Sequence, residues 1–151
     1  MKIDVVQLEL RRTHQIEIDI DYNIIYNAVA AVPIFQKEIG ALNVEHTAML
    51  SLDNTGKIIN FFVVSIGEID SVRVSLSQLF RNALLCNASQ IIVAHNHPSG
   101  ILEITSSDIE MTRKIGFFAT AFSIELLDSF IVTNNDYISI RASCRENTNG
   151  K

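Results

Sequence analysis

A chain of 151 residues, 48% hydrophobic and with a formal net charge of -5, suits one globular domain with a real core. No apolar run approaches the ~20 residues of a membrane helix, and Met1 to Leu10 is too acidic for a secretion signal, so a cytoplasmic protein without a membrane segment is expected. The acidic balance argues against a surface built for phosphate backbones, since Arg11-Arg12 is the longest basic run.

Cys86 and Cys144 stand far apart with no Cys-x-x-Cys, which predicts free thiols in a reducing compartment and excludes a sulfur-ligated zinc site. No repeat, low-complexity stretch or Pro/Gly-rich linker divides the chain. It reads as a single domain over residues 1–151, with its core at about 21–141 and a polar, frayed tail at 142–151.

Lys2 to Leu10 alternates enough to predict a strand. Tyr22, Ile25, Tyr26 and Val29 have helical spacing, with Asp21 as the cap and Pro33 ending or kinking the helix. Glu45 to Leu52 and Lys57 to Ile66 read as strands joined by a hairpin turn at residues 53–56. Leu76, Leu79, Phe80, Ala83, Leu84 and Asn87 mark one face of a second helix. Gln90 to His95 is a short, almost wholly apolar run, as expected of a central strand buried on both faces.

After a loop from His95 to about Leu102, a third helix begins near Thr105, with Met111, Ile115, Phe118 and Phe122 as its apolar face. Ser123 to Val132 reads as a strand, Asn134-Asn135-Asp136 as a turn, and Tyr137 to Arg141 as the last strand. Hairpins combined with crossovers predict an α/β fold: a mixed β-sheet flanked by helices.

The chemistry concentrates in His95-Asn96-His97-Pro98-Ser99-Gly100 and the following Thr105-Ser106-Ser107-Asp108. Residues two apart on an extended backbone point the same way, so His95 and His97 can aim at one point. Pro98 and Gly100 turn the chain and let the next helix start close by. Asp108 falls in the first turn of that helix, on the face of Met111 and Ile115, and an inward carboxylate needs a partner. Two readings stand side by side. Asp108 can be the acidic member of a capping box with Thr105 as N-cap. Alternatively, His95, His97 and Asp108 can hold a zinc ion with a fourth position open to water, the pattern of catalytic sites.

The string His95-x-His97 followed by Asp108, with a Glu well upstream, resembles the signature of the JAB/MPN (JAMM) metalloproteases. His95-Asn96-His97-Pro98-Ser99-Gly100 is similar to the RadC-like branch in particular. The likeness runs from about Glu45 to Ile140 and includes Leu52-Asp53, Gly67, Phe80, Ala83-Leu84, Asn87-Ala88, Ile91-Ile92, Leu127-Asp128 and Ile131-Val132. It implies a cytidine deaminase-like fold and a Zn2+ cofactor held by His95, His97 and Asp108. Glu45 takes the position of the carboxylate that works on the metal-bound water as it attacks a peptide or amide carbonyl. Thr105 stands where the family carries a serine that stabilises the transition state.

The chain departs from that pattern at Thr105, at Ser75-Leu76-Ser77 in place of His-Pro-Arg, and at Asp128-Ser129 in place of Asp-His. The resemblance implies a peptide or protein substrate. The family's DNA-repair label points to an alternative, a non-catalytic accessory module in DNA repair or mobile-element processing. Longer members carry an N-terminal helix-hairpin-helix segment that a chain of this length is not expected to hold. A serine hydrolase, a P-loop enzyme and a zinc deaminase are excluded by their missing motifs. His14 and His46 have no companions and read as surface or structural residues.

Overall fold

The structure is a computed structural model that describes residues 1–7, 9–18, 23–67 and 76–146. Its centre is a five-stranded sheet in the order β2-β1-β3-β4-β5. Strands β1 (His46–Leu52) and β2 (Ile58–Ile66) form an antiparallel hairpin. The turn between them is fastened by Asp53, whose carboxylate accepts from the backbone N–H groups of Thr55 and Lys57 and from the Thr55 hydroxyl, while Gly56 supplies a φ of 84°.

On its other side β1 pairs antiparallel with β3 (Gln90–Asn96). Strand β3 pairs parallel with β4 (Glu125–Val132), and β4 pairs antiparallel with the short β5 (Tyr137–Ser139). Every β3 residue from Ile91 to Asn96 is buried, which is the physical reason its sequence is apolar from Ile91 to Ala94.

Both faces of the sheet are covered. On one, Leu50, Ile92, Ala94 and Phe130 pack against a helical segment containing Ile34 and Phe35. That segment is a 3-10 turn (Ala28–Ala31), α1 (Val32–Phe35) and a π turn (Gln36–Gly40). On the other, Met49, Ile91 and Val93 pack against Leu79 of α2 (Leu76–Leu85) and Ile115 of α3 (Ser106–Ala121). Helix α3 is the crossover between the parallel strands β3 and β4, so it must start beside the C-terminal end of β3.

Several elements differ from the sequence reading. The described residues of Lys2 to Leu10 form no strand: Ile3, Val5 and Val6 are exposed, and no ladder satisfies their backbone. Asp21 and Tyr22 lie outside the described residues. The first helical turn starts later, at Ala28, with the Asn27 side chain accepting from Ala30 N–H. Ile25 is held outside it, donating its N–H to the Gly56 carbonyl. Pro33 does not end the helix; it sits in the first turn of α1, where its missing N–H leaves no bond unmade.

On α2, Leu84 is 47% exposed and Asn87 is exposed at a φ of 54°, past the end of the helix rather than on its apolar face. On α3 the buried face is Thr112, Ile115 and Ala119, while Phe118 and Phe122 lie beside Phe80 at the rim, 40% and 45% exposed. The last strand stops at Ser139, and Ile140–Glu146 forms helix α4 instead of strand and frayed tail. Ser139 Oγ accepts from Ala142 N–H at 3.0 Å, as an N-cap does, and Arg141 donates to the carbonyls of Leu126 and Leu127. Residues 147–151 of the expected tail lie outside the described residues. Cys86 and Cys144 form no disulfide.

Ser139 also donates to the Asp128 carboxylate at 2.9 Å, so one hydroxyl joins β4, β5 and α4. Ser139→Ala is expected to lower stability by about 1–2 kcal/mol through the lost cap and the lost hydrogen bond to the Asp128 carboxylate, which keeps only the Ser129 N–H as a donor. Urea denaturation checks this; an unchanged midpoint would mean that α4 is not held at this point.

Candidate metal centre

The site lies at the C-terminal end of β3, where three elements meet. His95 is the penultimate strand residue and is 9% exposed. His97, two residues after His95 and the first beyond the strand, turns its ring to the same side. The turn after it brings α3 back, with Gly100 at a φ of 75° and its N–H bonded to the His97 carbonyl. Asp108, at the third position of α3, completes a cluster with His95 and His97 in which one ligand atom from each lies within 4.8 Å of the others.

The His95 Nε2 to His97 Nε2 distance is 3.1 Å, and His95 Nε2 to Asp108 Oδ1 is 3.2 Å. Adjacent ligand atoms on a tetrahedral zinc ion stand about 3.3 Å apart, so the spacing fits. The donors fit as well. His97 Nδ1 is 2.8 Å from the Ile101 carbonyl, an acceptor only, so the hydrogen of a neutral ring is on Nδ1 and Nε2 presents its lone pair. Two imidazole nitrogens face to face beside a carboxylate call for a cation or a proton among them.

The two readings of Asp108 turn out to be compatible. Oδ1 faces His95, and Oδ2 accepts from the Thr105 N–H at 2.8 Å and the Thr105 hydroxyl at 2.7 Å. Thr105 Oγ1 accepts in turn from Asp108 N–H, closing a capping box. The helix cap therefore fixes the rotation of the carboxylate. Burial works to raise the Asp108 pKa, but hydrogen bonds from His95 and Thr105, with the charge on His95, overcome it and lower it to about 2.

Glu45 immediately precedes β1 and is half-buried. Burial raises its pKa above the ordinary carboxylate value; His95 and His97 pull the other way, and the Asp108 charge adds to the rise. These mutual effects place Glu45 in the electrostatic field of the cluster. The Thr105 hydroxyl is engaged with Asp108 as both donor and acceptor. Thus the structure brings His95, His97, Asp108 and Thr105 into one bonded group, with Glu45 within reach of its charges.

Other singled-out positions lie elsewhere. Ser129 is 3% exposed and accepts from the Thr112 hydroxyl at 3.0 Å, joining β4 to α3 inside the core. Ser75 lies outside the described residues, while Leu76 and Ser77 open α2. His46 is structural, its Nδ1 2.8 Å from the Val44 carbonyl, and His14 is exposed.

Sequence reasoning missed Asn96. It is 0% exposed, accepts from His46 N–H at 2.6 Å, and donates to the carbonyls of Leu42 at 3.0 Å and Val44 at 3.2 Å. The signal was available: alternation directs the residue between two same-side histidines to the opposite face, and an asparagine buried there must find partners.

The family profile described as "RadC-like JAB domain" matches residues 25–146. Among similar proteins, the "UPF0758 protein" of Finegoldia magna is 38% identical over 108 residues, which is 72% of this chain and 48% of that one. The "UPF0758 protein" of Trichormus variabilis is 35% identical over 131 residues, 87% of this chain and 54% of that one. That of Acidithiobacillus ferrooxidans is 36% identical over 94 residues, 62% of this chain and 42% of that one. The chain spans about half the length of the curated relatives it matches.

Asp108 provides two separable tests. Asp108→Asn keeps the shape of the cap and removes the anion, so the metal-free chain is expected to fold while divalent-metal affinity drops at least tenfold; calorimetric titration with zinc measures it. Because folding lowers the Asp108 pKa, its contribution to stability is full above the unfolded value near ~3.9 and fades as pH falls toward the folded value of about 2. The stability gap between wild type and Asp108→Asn should accordingly narrow from pH 5 to pH 3 in urea titrations. A gap that widens on acidification would contradict this assignment.

Proposed function

This chain belongs to the RadC-like JAB domain family, and on that footing we propose that it is a zinc-dependent hydrolase of the JAMM type, acting on a peptide or amide carbonyl. The single observation that carries the reading is the convergence of His95, His97 and Asp108 at ligand spacing, with a half-buried Glu45 within reach of their charges. A zinc ion there would acidify a water molecule and polarise the carbonyl.

The remaining work falls to the chain's own groups. His97, its Nδ1–H held by the Ile101 carbonyl, keeps Nε2 turned toward His95. Asp108, with its depressed pKa, stays anionic at neutral pH and offers Oδ1 while Oδ2 remains in the cap. Glu45 takes a proton from the attacking water and returns it to the departing amine. Thr105 contributes first by setting Asp108. For its hydroxyl to stabilise an oxyanion as well, it would have to release its bond to Asp108 Oδ2.

The proposed substrate is a peptide or protein. The net charge of -5 favours that class over nucleic acid as the direct ligand. Among the described residues, no helix is long and apolar enough to cross a membrane.

The experiment is a peptide-hydrolysis screen on zinc-loaded protein, with a chelator control. Glu45→Gln is expected to bind zinc normally and to lose at least about 10²-fold in rate, the usual contribution of a general base. Full activity in Glu45→Gln, or hydrolysis indifferent to the chelator, would refute the proposal.

A further inference from the structure

The residue between the two imidazole ligands has a role of its own in the arrangement. Asn96 points away from the metal cluster, into the layer that holds the chain leading into β1, and is fully buried. Its side-chain amide makes three hydrogen bonds, all to the backbone of residues 42–46.

The identity of those partners is informative. The Val44 carbonyl belongs to the peptide group on the N-terminal side of Glu45. The His46 N–H belongs to the peptide group on its C-terminal side. Asn96 donates to the first at 3.2 Å and accepts from the second at 2.6 Å. One side chain thereby holds both peptide planes that flank the Glu45 α-carbon, and φ and ψ of Glu45 are the angles between those planes. Gly67 N–H adds a bond to the Glu45 carbonyl at 3.0 Å. On the β3 side regular sheet pairing does not do this work, because the β1–β3 ladder ends with Thr47 opposite His95, whereas on the β2 side pairing continues to His46 opposite Ile66.

We infer that Asn96 is a positioning residue that fixes the Glu45 backbone relative to the His95–His97 pair, locking the proton-transfer carboxylate in register with the metal ligands on either side of Asn96 in sequence. The peptide that projects two imidazoles to one face projects the amide to the other, so ligands and base cannot shift independently. Only a planar amide with adjacent donor and acceptor meets the demand: aspartate lacks the donors, and alanine lacks everything. The inference rests on the hydrolase reading for its catalytic consequence, but not for its geometry.

The test separates the two. On the wild-type full chain, amide hydrogen exchange at His46 should be as slow as at Ala48 within β1; exchange at the rate of an exposed loop amide would overturn the inference whether or not any hydrolysis is found. Asn96→Ala and Asn96→Asp should then bind Zn2+ within about threefold of wild type, since His95, His97 and Asp108 are intact, and lose on the order of 10²-fold in hydrolysis, as expected for a misplaced base. Adding Asn96→Ala to Glu45→Ala should cost less than about twofold more, because Asn96 acts through Glu45. Multiplicative losses in the double variant, or loss of zinc as severe as in Asp108→Asn, would contradict the role. Absence of hydrolysis in wild type would remove the proposed activity and leave the exchange result to decide on Asn96. If Asn96→Ala does not fold, the exchange measurement and Asn96→Asp carry the test.

Discussion

The Asp108 carboxylate is the point on which the site depends, because its two oxygens answer to different parts of the molecule. Oδ2 belongs to helix α3, where it closes the capping box with Thr105. Oδ1 belongs to the end of β3, where it meets His95 at 3.2 Å. A cap is worth about 1 kcal/mol to a helix, a modest sum, but here its orientation matters more than its energy. The carboxylate of a free aspartate would rotate; this one is held by two hydrogen bonds on one oxygen, leaving the other to face the imidazoles.

The remainder of the architecture makes that meeting unavoidable. The parallel pairing of β3 and β4 requires a crossover, and α3 is that crossover, so its N-terminus lies near the strand end that carries the histidines. Burial of β3 on both faces leaves little freedom for the strand to slide, since a one-residue slip would exchange its faces. The same alternation turns His95 and His97 to one side and Asn96 to the other, where its amide seizes the peptide groups around Glu45. The two histidines and the backbone of Glu45, the proposed ligands and base, are thus arranged by a single strand end seen from its two faces.

Much of this was legible in the residues themselves. The apolar run at Gln90 to His95, the β1–β2 hairpin signal at Asp53 to Gly56, and the His-x-His with a downstream first-turn Asp all depend on local periodicity or turn chemistry, which sequence expresses directly. The elements that were misread depend on distant partners. Lys2 to Leu10 has a strand-like pattern, but its described residues acquire no neighbour to pair with, and alternation without a ladder does not make a strand. The helix near Ala28 begins late because Ile24 bridges to Lys57 and Ile25 bonds to Gly56, a contact across the hairpin that no local signal announces. Phe118 and Phe122 look like core by hydrophobicity, yet α3 turns Thr112, Ile115 and Ala119 inward, where Thr112 bonds Ser129 of β4. Helix α4 follows from Ser139 acting as a cap, a signal hidden inside what looked like a strand.

The proposed hydrolase requires that His95, His97 and Asp108 together hold one divalent cation. X-ray absorption on the zinc-loaded chain puts that requirement to the test. It should show about one ion per chain, with a first sphere containing two imidazole nitrogens and oxygen donors, and a sphere that loses an oxygen in Asp108→Asn. No zinc uptake at saturating concentration, or a sphere unchanged by that substitution, would contradict it.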